Sequence, residues 1–138
     1  MFAALPLLGL PVLICNLIAF TRGPDGTDSA MSTPIFTIDM PTGASWMVGL
    51  GDLLIAVSLL VLFVELLKST VNRRIAIINQ ALSIILFIVC LIEFLLTPAF
   101  ATSTFFLITL MVLLDVLAGF IATIMSAQRG VDLEPAGD

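Results

Sequence analysis

Apolar residues fill four stretches of this chain, at residues 2–20, 47–67, 75–96 and 104–126, and polar residues gather in the segments between them. Each stretch holds about twenty residues, which at about 1.5 Å per helical residue is enough to cross a hydrocarbon core about 30 Å thick. The pattern predicts an all-α membrane protein. Its expected fold is a four-transmembrane-helix bundle forming one domain over residues 1–129, with an acidic tail at 130–138. The first stretch has no Lys or Arg before it and no small-residue cleavage site after it, and Ile14 before Cys15 is too bulky for lipoprotein-type cleavage, so it reads as a retained span. Pro6 and Pro11 each remove a helical hydrogen bond, which predicts an irregular start or a bend in that helix.

The polar segments set the expected orientation. Lys68, Arg73 and Arg74 hold three of the chain's five bases, whereas the connection at 97–103 has none. Short basic loops stay in the cytoplasm, so this loop and both termini are expected there, with Arg129 in agreement. The loop at 21–46 then faces outward. Its first part, up to Pro34, is rich in Gly, Pro, Ser, Thr and Asp and is expected to be poorly ordered by itself. Its second part changes texture. Strand-forming residues at 35–40, a turn at Met40-Pro41-Thr42-Gly43 and a return over 44–48 fit a small β-hairpin capping the outer end, with an irregular loop as the alternative. Trp46, at the start of the second span, suits an interfacial anchor.

Four acids lie at membrane depth: Asp52, Glu65, Glu93 and Asp115. No Lys or Arg lies inside a span to pair with them, and such residues normally face the protein interior or water. Glu65 is three residues before Lys68, a helical spacing that predicts an ordinary ion pair at the interface. Asp115 heads a line of small residues, Ala118, Gly119, Ala122 and Ser126, at spacings that place them on one face of the fourth helix. Small faces let helix backbones approach closely in a bilayer. Gly49, Asp52 and Ala56 form a shorter face of this kind on the second helix, Gly9 and Asn16 share a side of the first, and Asn79, Ser83 and Cys90 run down the third with Glu93 on its flank. Asn16, Asp52, Glu93 and Asp115 are therefore a candidate polar cluster. Either the acids are protonated and fix helix register through hydrogen bonds, the favoured alternative, or they line a wet pocket that binds or relays a cation or proton.

Composition narrows the function. Hydrophobic residues make up 60% of the chain and charged residues 11%, and mean hydropathy is +1.23, which excludes a soluble domain. The net charge is -5 and no basic patch exists, so nucleic acid is not an expected partner. There is no His, and Cys15 and Cys90 stand alone, which leaves no metal site of zinc spacing, no redox pair and no nucleophilic dyad. No enzyme activity, cofactor or metal is expected. At the third loop, Glu93-Phe94-Leu95-Leu96-Thr97-Pro98-Ala99-Phe100-Ala101-Thr102-Ser103-Thr104-Phe105-Phe106, together with Pro41-Thr42-Gly43-Ala44-Ser45-Trp46 and Gly51-Asp52, resembles a group of small uncharacterised four-span bacterial inner-membrane proteins. The likeness covers about residues 34–129 and implies four spans and a bacterial source, but no activity. Pro98 is expected to end the third helix and Thr102 or Ser103 to cap the fourth, which Arg129 and Gly130 would close before a disordered tail. The expected role is that of an accessory, assembly or regulatory subunit whose partners are the lipid bilayer and other membrane subunits or further copies of itself. The alternative is a small oligomeric proton or cation channel or transporter using the intramembrane acids.

Overall fold

A computed structural model describes residues 5–68 and 73–133, so the start of the first apolar stretch, the middle of the basic loop and the end of the acidic tail lie outside the described residues. The described chain runs α1 (Gly9–Ser32), β1 (Pro34–Asp39), β2 (Ser45–Gly49), α2 (Leu50–Lys68), α3 (Arg73–Leu96), a 3-10 turn (Pro98–Phe100) and α4 (Ser103–Leu133). Three stretches, Leu50–Lys68, Ala76–Leu96 and Ser103–Gly130, are helical, long and apolar enough to cross a membrane, and most of the surface of each is uncovered by the rest of the chain.

The first helix departs from the expected span. Its helical path starts at Gly9, after Pro6, and Pro11 sits in the first turn, where a backbone N–H would have no helical partner in any case. It breaks at Gly23, whose φ of 72° is a left-handed value that glycine tolerates, immediately before Pro24. The run before the break, residues 9–22, is about 21 Å long, shorter than a bilayer core.

The run after the break, residues 24–32, is helical where a poorly ordered loop was expected. Gly-Pro here redirects a helix instead of ending it, because Pro24 needs no N–H in a first helical turn. Thr27, Ala30 and Met31 form the buried face of this short segment, while Asp25, Asp28 and Ser29 stay exposed. Its polar residues are satisfied locally, with Thr27 Oγ1 donating to Gly23 O at 2.7 Å and Ser32 Oγ to Asp28 O at 2.9 Å.

The hairpin forms at the expected place. Its strands pair antiparallel, with Ile38 opposite Trp46 and Phe36 opposite Val48. The turn is closed by Gly43 N to Met40 O at 2.9 Å and Met40 N to Ala44 O at 2.8 Å, with Gly43 at φ 86°. All of β1 and Ser45–Met47 are exposed, and only Val48 and Gly49 are buried, so the hairpin is rooted at its base and stands clear of the helices.

α4 is central to the packing and touches α1, α2 and α3. Its Phe105, Ile108 and Val112 meet Leu8 at the head of α1, Val12 and Cys15 of α1, Leu54 and Leu62 of α2 and Cys90 of α3 in one core. Phe100 of the 3-10 turn stacks at a tilt on Phe105, with ring centroids 4.6 Å apart. Thr102 is the residue that caps α4, its Oγ1 accepting from Phe105 N at 3.2 Å. At the other end, α4 does not close at Gly130 but continues to Leu133.

Candidate functional site: acids and amides on the helix faces

The four residues expected to cluster are distributed over three separate arrangements. Asp52 is exposed in the first turn of α2, and its Oδ2 accepts from Gly49 N at 3.0 Å. Gly49 immediately precedes the helix and Asp52 is its third residue, so the carboxylate reaches back as the acidic half of a capping box. Its negative charge also favours the positive end of the helix dipole. This is enough to explain an acid at the head of an apolar helix. Asp52→Ala is expected to cost about 1 kcal/mol, the usual value of a helix cap, and to speed amide exchange at Gly49; an unchanged Gly49 exchange rate would contradict the cap.

Asn16 and Glu93 do meet. Asn16 Nδ2 donates to Glu93 Oε2 at 3.2 Å and to Val12 O at 3.0 Å, fastening α1 to α3 at half-buried positions. Asp115 lies elsewhere, 5% exposed, and its Oδ2 accepts from Ser83 Oγ at 2.8 Å, which fastens α4 to α3. One turn on, Gln80 Nε2 donates to Val116 O at 2.9 Å across the same pair of helices. Gly119 makes room for that amide, since a methyl group built there would overlap Gln80 Oε1. Further along the small-residue face the contact ends: Ala118 and Gly119 are half-buried, but Ala122 and Ser126 are exposed.

Two expectations for α2 are corrected. Its buried face is Gly51, Leu54, Ser58, Leu62 and Glu65, not Gly49, Asp52 and Ala56, of which Asp52 and Ala56 are exposed. Glu65 does not pair with Lys68. It is 0% exposed, and its Oε2 accepts from Leu7 N at 2.8 Å, while Lys68 Nζ donates to Leu5 O at 3.2 Å. Both side chains thus hold the non-helical lead into α1. Lys68 ends α2 and Arg73 and Arg74 open α3, so the basic residues share the end of the assembly opposite the hairpin.

Among the described residues, two buried oxygens accept from no donor: Glu65 Oε1 and Asn79 Oδ1, the latter on a residue 8% exposed. Neither residue was among the expected site residues. A signal for Glu65 was nevertheless present, because Gly51, Ser58 and Glu65 recur every seven residues along α2 and mark a stripe of small and polar side chains turned toward neighbouring helices. Cys15 and Cys90 are buried free thiols. No protein-family model matches the chain, and neither a curated protein nor a solved structure matches it.

Proposed function

We propose that this chain is a non-enzymatic integral membrane protein of a bacterial inner membrane, acting as an accessory, assembly or regulatory subunit, with α2, α3 and α4 crossing in full and the first run of α1 completing a fourth crossing together with the non-helical lead before it, so that both termini are cytoplasmic. The observation that carries this reading is the state of α4 beyond Gly119. From Phe120 to Gly130 every residue is exposed, including Phe120, Ile121, Ile124 and Met125, and the small face that packs at Gly119 continues through Ala122 and Ser126 with nothing in the described chain against it. A small-residue face is built for close helix contact, and this one outruns its intrachain use. The division of Asn16, Asp52, Glu93 and Asp115 into a cap and two interhelical fastenings supports the same reading. It counts against a single outward-facing acid path, as the channel or transporter alternative would need.

Native mass determination of the tagged protein, gently extracted at its natural expression level, tests the proposal. A stoichiometric larger assembly is expected. A monomer or homo-oligomer with nothing else bound would overturn the subunit reading and favour the transport one.

A further inference from the structure

The hairpin divides its side chains by face. Cross-strand partners share a face and neighbours along a strand alternate, so the pairs Phe36–Val48 and Ile38–Trp46 lie on one side, with Met40 next in line at the turn. That side is apolar and carries no charge. Thr37, Asp39 and Ser45 lie on the other, where Ser45 Oγ donates to Asp39 Oδ1 at 2.9 Å; Met47 is the apolar exception there, and Ile35 falls at the bulge between Pro34 and Phe36. Val48 is buried at the base, but Phe36, Ile38, Met40 and Trp46 are exposed. A two-stranded hairpin is marginal in water unless a further surface supports it, and the described chain covers none of these four.

The level of the base decides what can support them. A Cβ at Gly49 would lie 2.9 Å from Met31 O, and one at Gly51 would lie 3.1 Å from the same oxygen and 2.5 Å from Thr104 Oγ1, so β2 enters the heads of α2 and α4 at one height. Both helices are long and apolar enough to cross a membrane, and their heads mark one boundary of its hydrocarbon core. β2 passes into α2 without a loop, so the hairpin adjoins a surface that meets lipid. The headgroup zone beyond the core is about 5–8 Å deep, whereas the six residues of β1 span about 20 Å. Upright, the hairpin would carry its tip about 10 Å past the headgroups, with its apolar face in water. Laid along the surface, the same face enters the interfacial zone, where tryptophan is enriched, and Asp39 and Ser45 turn to water.

We infer that the hairpin is a lipid-docking element, its face of Phe36, Ile38, Met40 and Trp46 seated in the headgroup zone of the bilayer at the end opposite the basic residues. The inference rests on the membrane placement of α2 and α4 and is independent of the subunit reading. Seated there, the hairpin gains the support that an isolated one lacks, and it fixes the depth of α2 from outside the helix. The face bears no charged side chain, so zwitterionic lipid is sufficient.

Trp46 is the chain's one tryptophan, so its emission reports directly on this face. The test places the full chain alone in phosphatidylcholine nanodiscs in which part of the lipid carries bromine either high on its acyl chains or near their ends, with acrylamide as the aqueous quencher. Bromine high on the chain is expected to remove most of the emission, bromine near the chain end much less, and acrylamide little. The tip is read by Met40→Trp combined with Trp46→Phe, both at exposed positions, and the same order of quenching is expected. A tip tryptophan as open to acrylamide as free indole, and untouched by brominated lipid, would overturn the seating and leave Trp46 as an anchor for the head of α2 alone. Trp46 itself open to acrylamide would also overturn it and leave the face to a protein partner.

Discussion

Glu65→Ala is expected to be less stable than Glu65→Gln by about 3 kcal/mol, measured as the difference between their unfolding free energies in bicelles or mixed micelles. The comparison is between two neutral side chains, so the cost of burying a carboxylate drops out of it. Two terms remain. A glutamine in place of Glu65 would keep an oxygen for Leu7 N–H, whose bond to Glu65 Oε2 is 2.8 Å long, whereas an alanine would leave that donor without a partner at a cost of about 1–3 kcal/mol. The second term is a cavity. Glu65 is fully buried, and truncating a buried side chain of this size costs about 2 kcal/mol or more where the surroundings cannot collapse. The two are not strictly additive, since relaxation around the cavity can bring another acceptor to Leu7. A difference near zero would show that the lead into α1 is not held by α2 at this point.

The same residue marks where sequence reasoning stopped. Its spacing to Lys68 suggested an interfacial pair, and that pairing is locally sensible in an isolated helix. In the folded chain a neighbouring segment offers both partners something better: Leu7 presents an unsatisfied N–H and Leu5 a free carbonyl, because Pro6 keeps this lead out of the helix. Local periodicity cannot reveal a competitor fifty-eight residues away. The loop at 21–34 misled for a related reason. Its composition is that of a solvated linker, but Thr27, Ala30 and Met31 lie three and four apart and find a surface on which to fold. By contrast, the hairpin and its turn, the three long helices, the Thr102 cap and the buried Asn79, Ser83 and Cys90 on α3 were legible, because each depends on short-range spacing or turn chemistry. The partnership of Asn16 with Glu93 was legible from depth alone. The separation of Asp115 from Asp52 was not, since it depends on which way each helix is rotated.

Of Gly51→Ala, Gly119→Ala and Gly130→Ala, Gly51→Ala should be the most damaging, with a loss of about 1–3 kcal/mol as expected for overpacking a tight contact. A Cβ at position 51 would lie 2.5 Å from Thr104 Oγ1, 3.1 Å from Met31 O and 3.5 Å from Met31 Cβ. Thr104 is buried and short, and the Met31 carbonyl belongs to the backbone, so neither can retreat as a long side chain would. The substitution would push the short helix at 24–32 away from the head of α2 and widen the α2–α4 approach, losses that the better helix propensity of Ala, worth at most about 1 kcal/mol, does not recover. Gly119→Ala is expected to fall in between. Only the flexible Gln80 amide stands in its way, and moving it forfeits the bond to Val116 O, worth about 0.6–1.7 kcal/mol between helices in a membrane. Gly130 has nothing within 4 Å of a built Cβ and lies on an exposed stretch of helix, so Gly130→Ala should be neutral or slightly stabilising. The order of the three midpoints is the decisive reading. Gly51→Ala as tolerant as Gly130→Ala would mean that α2 and α4 do not meet at Gly51 and Thr104.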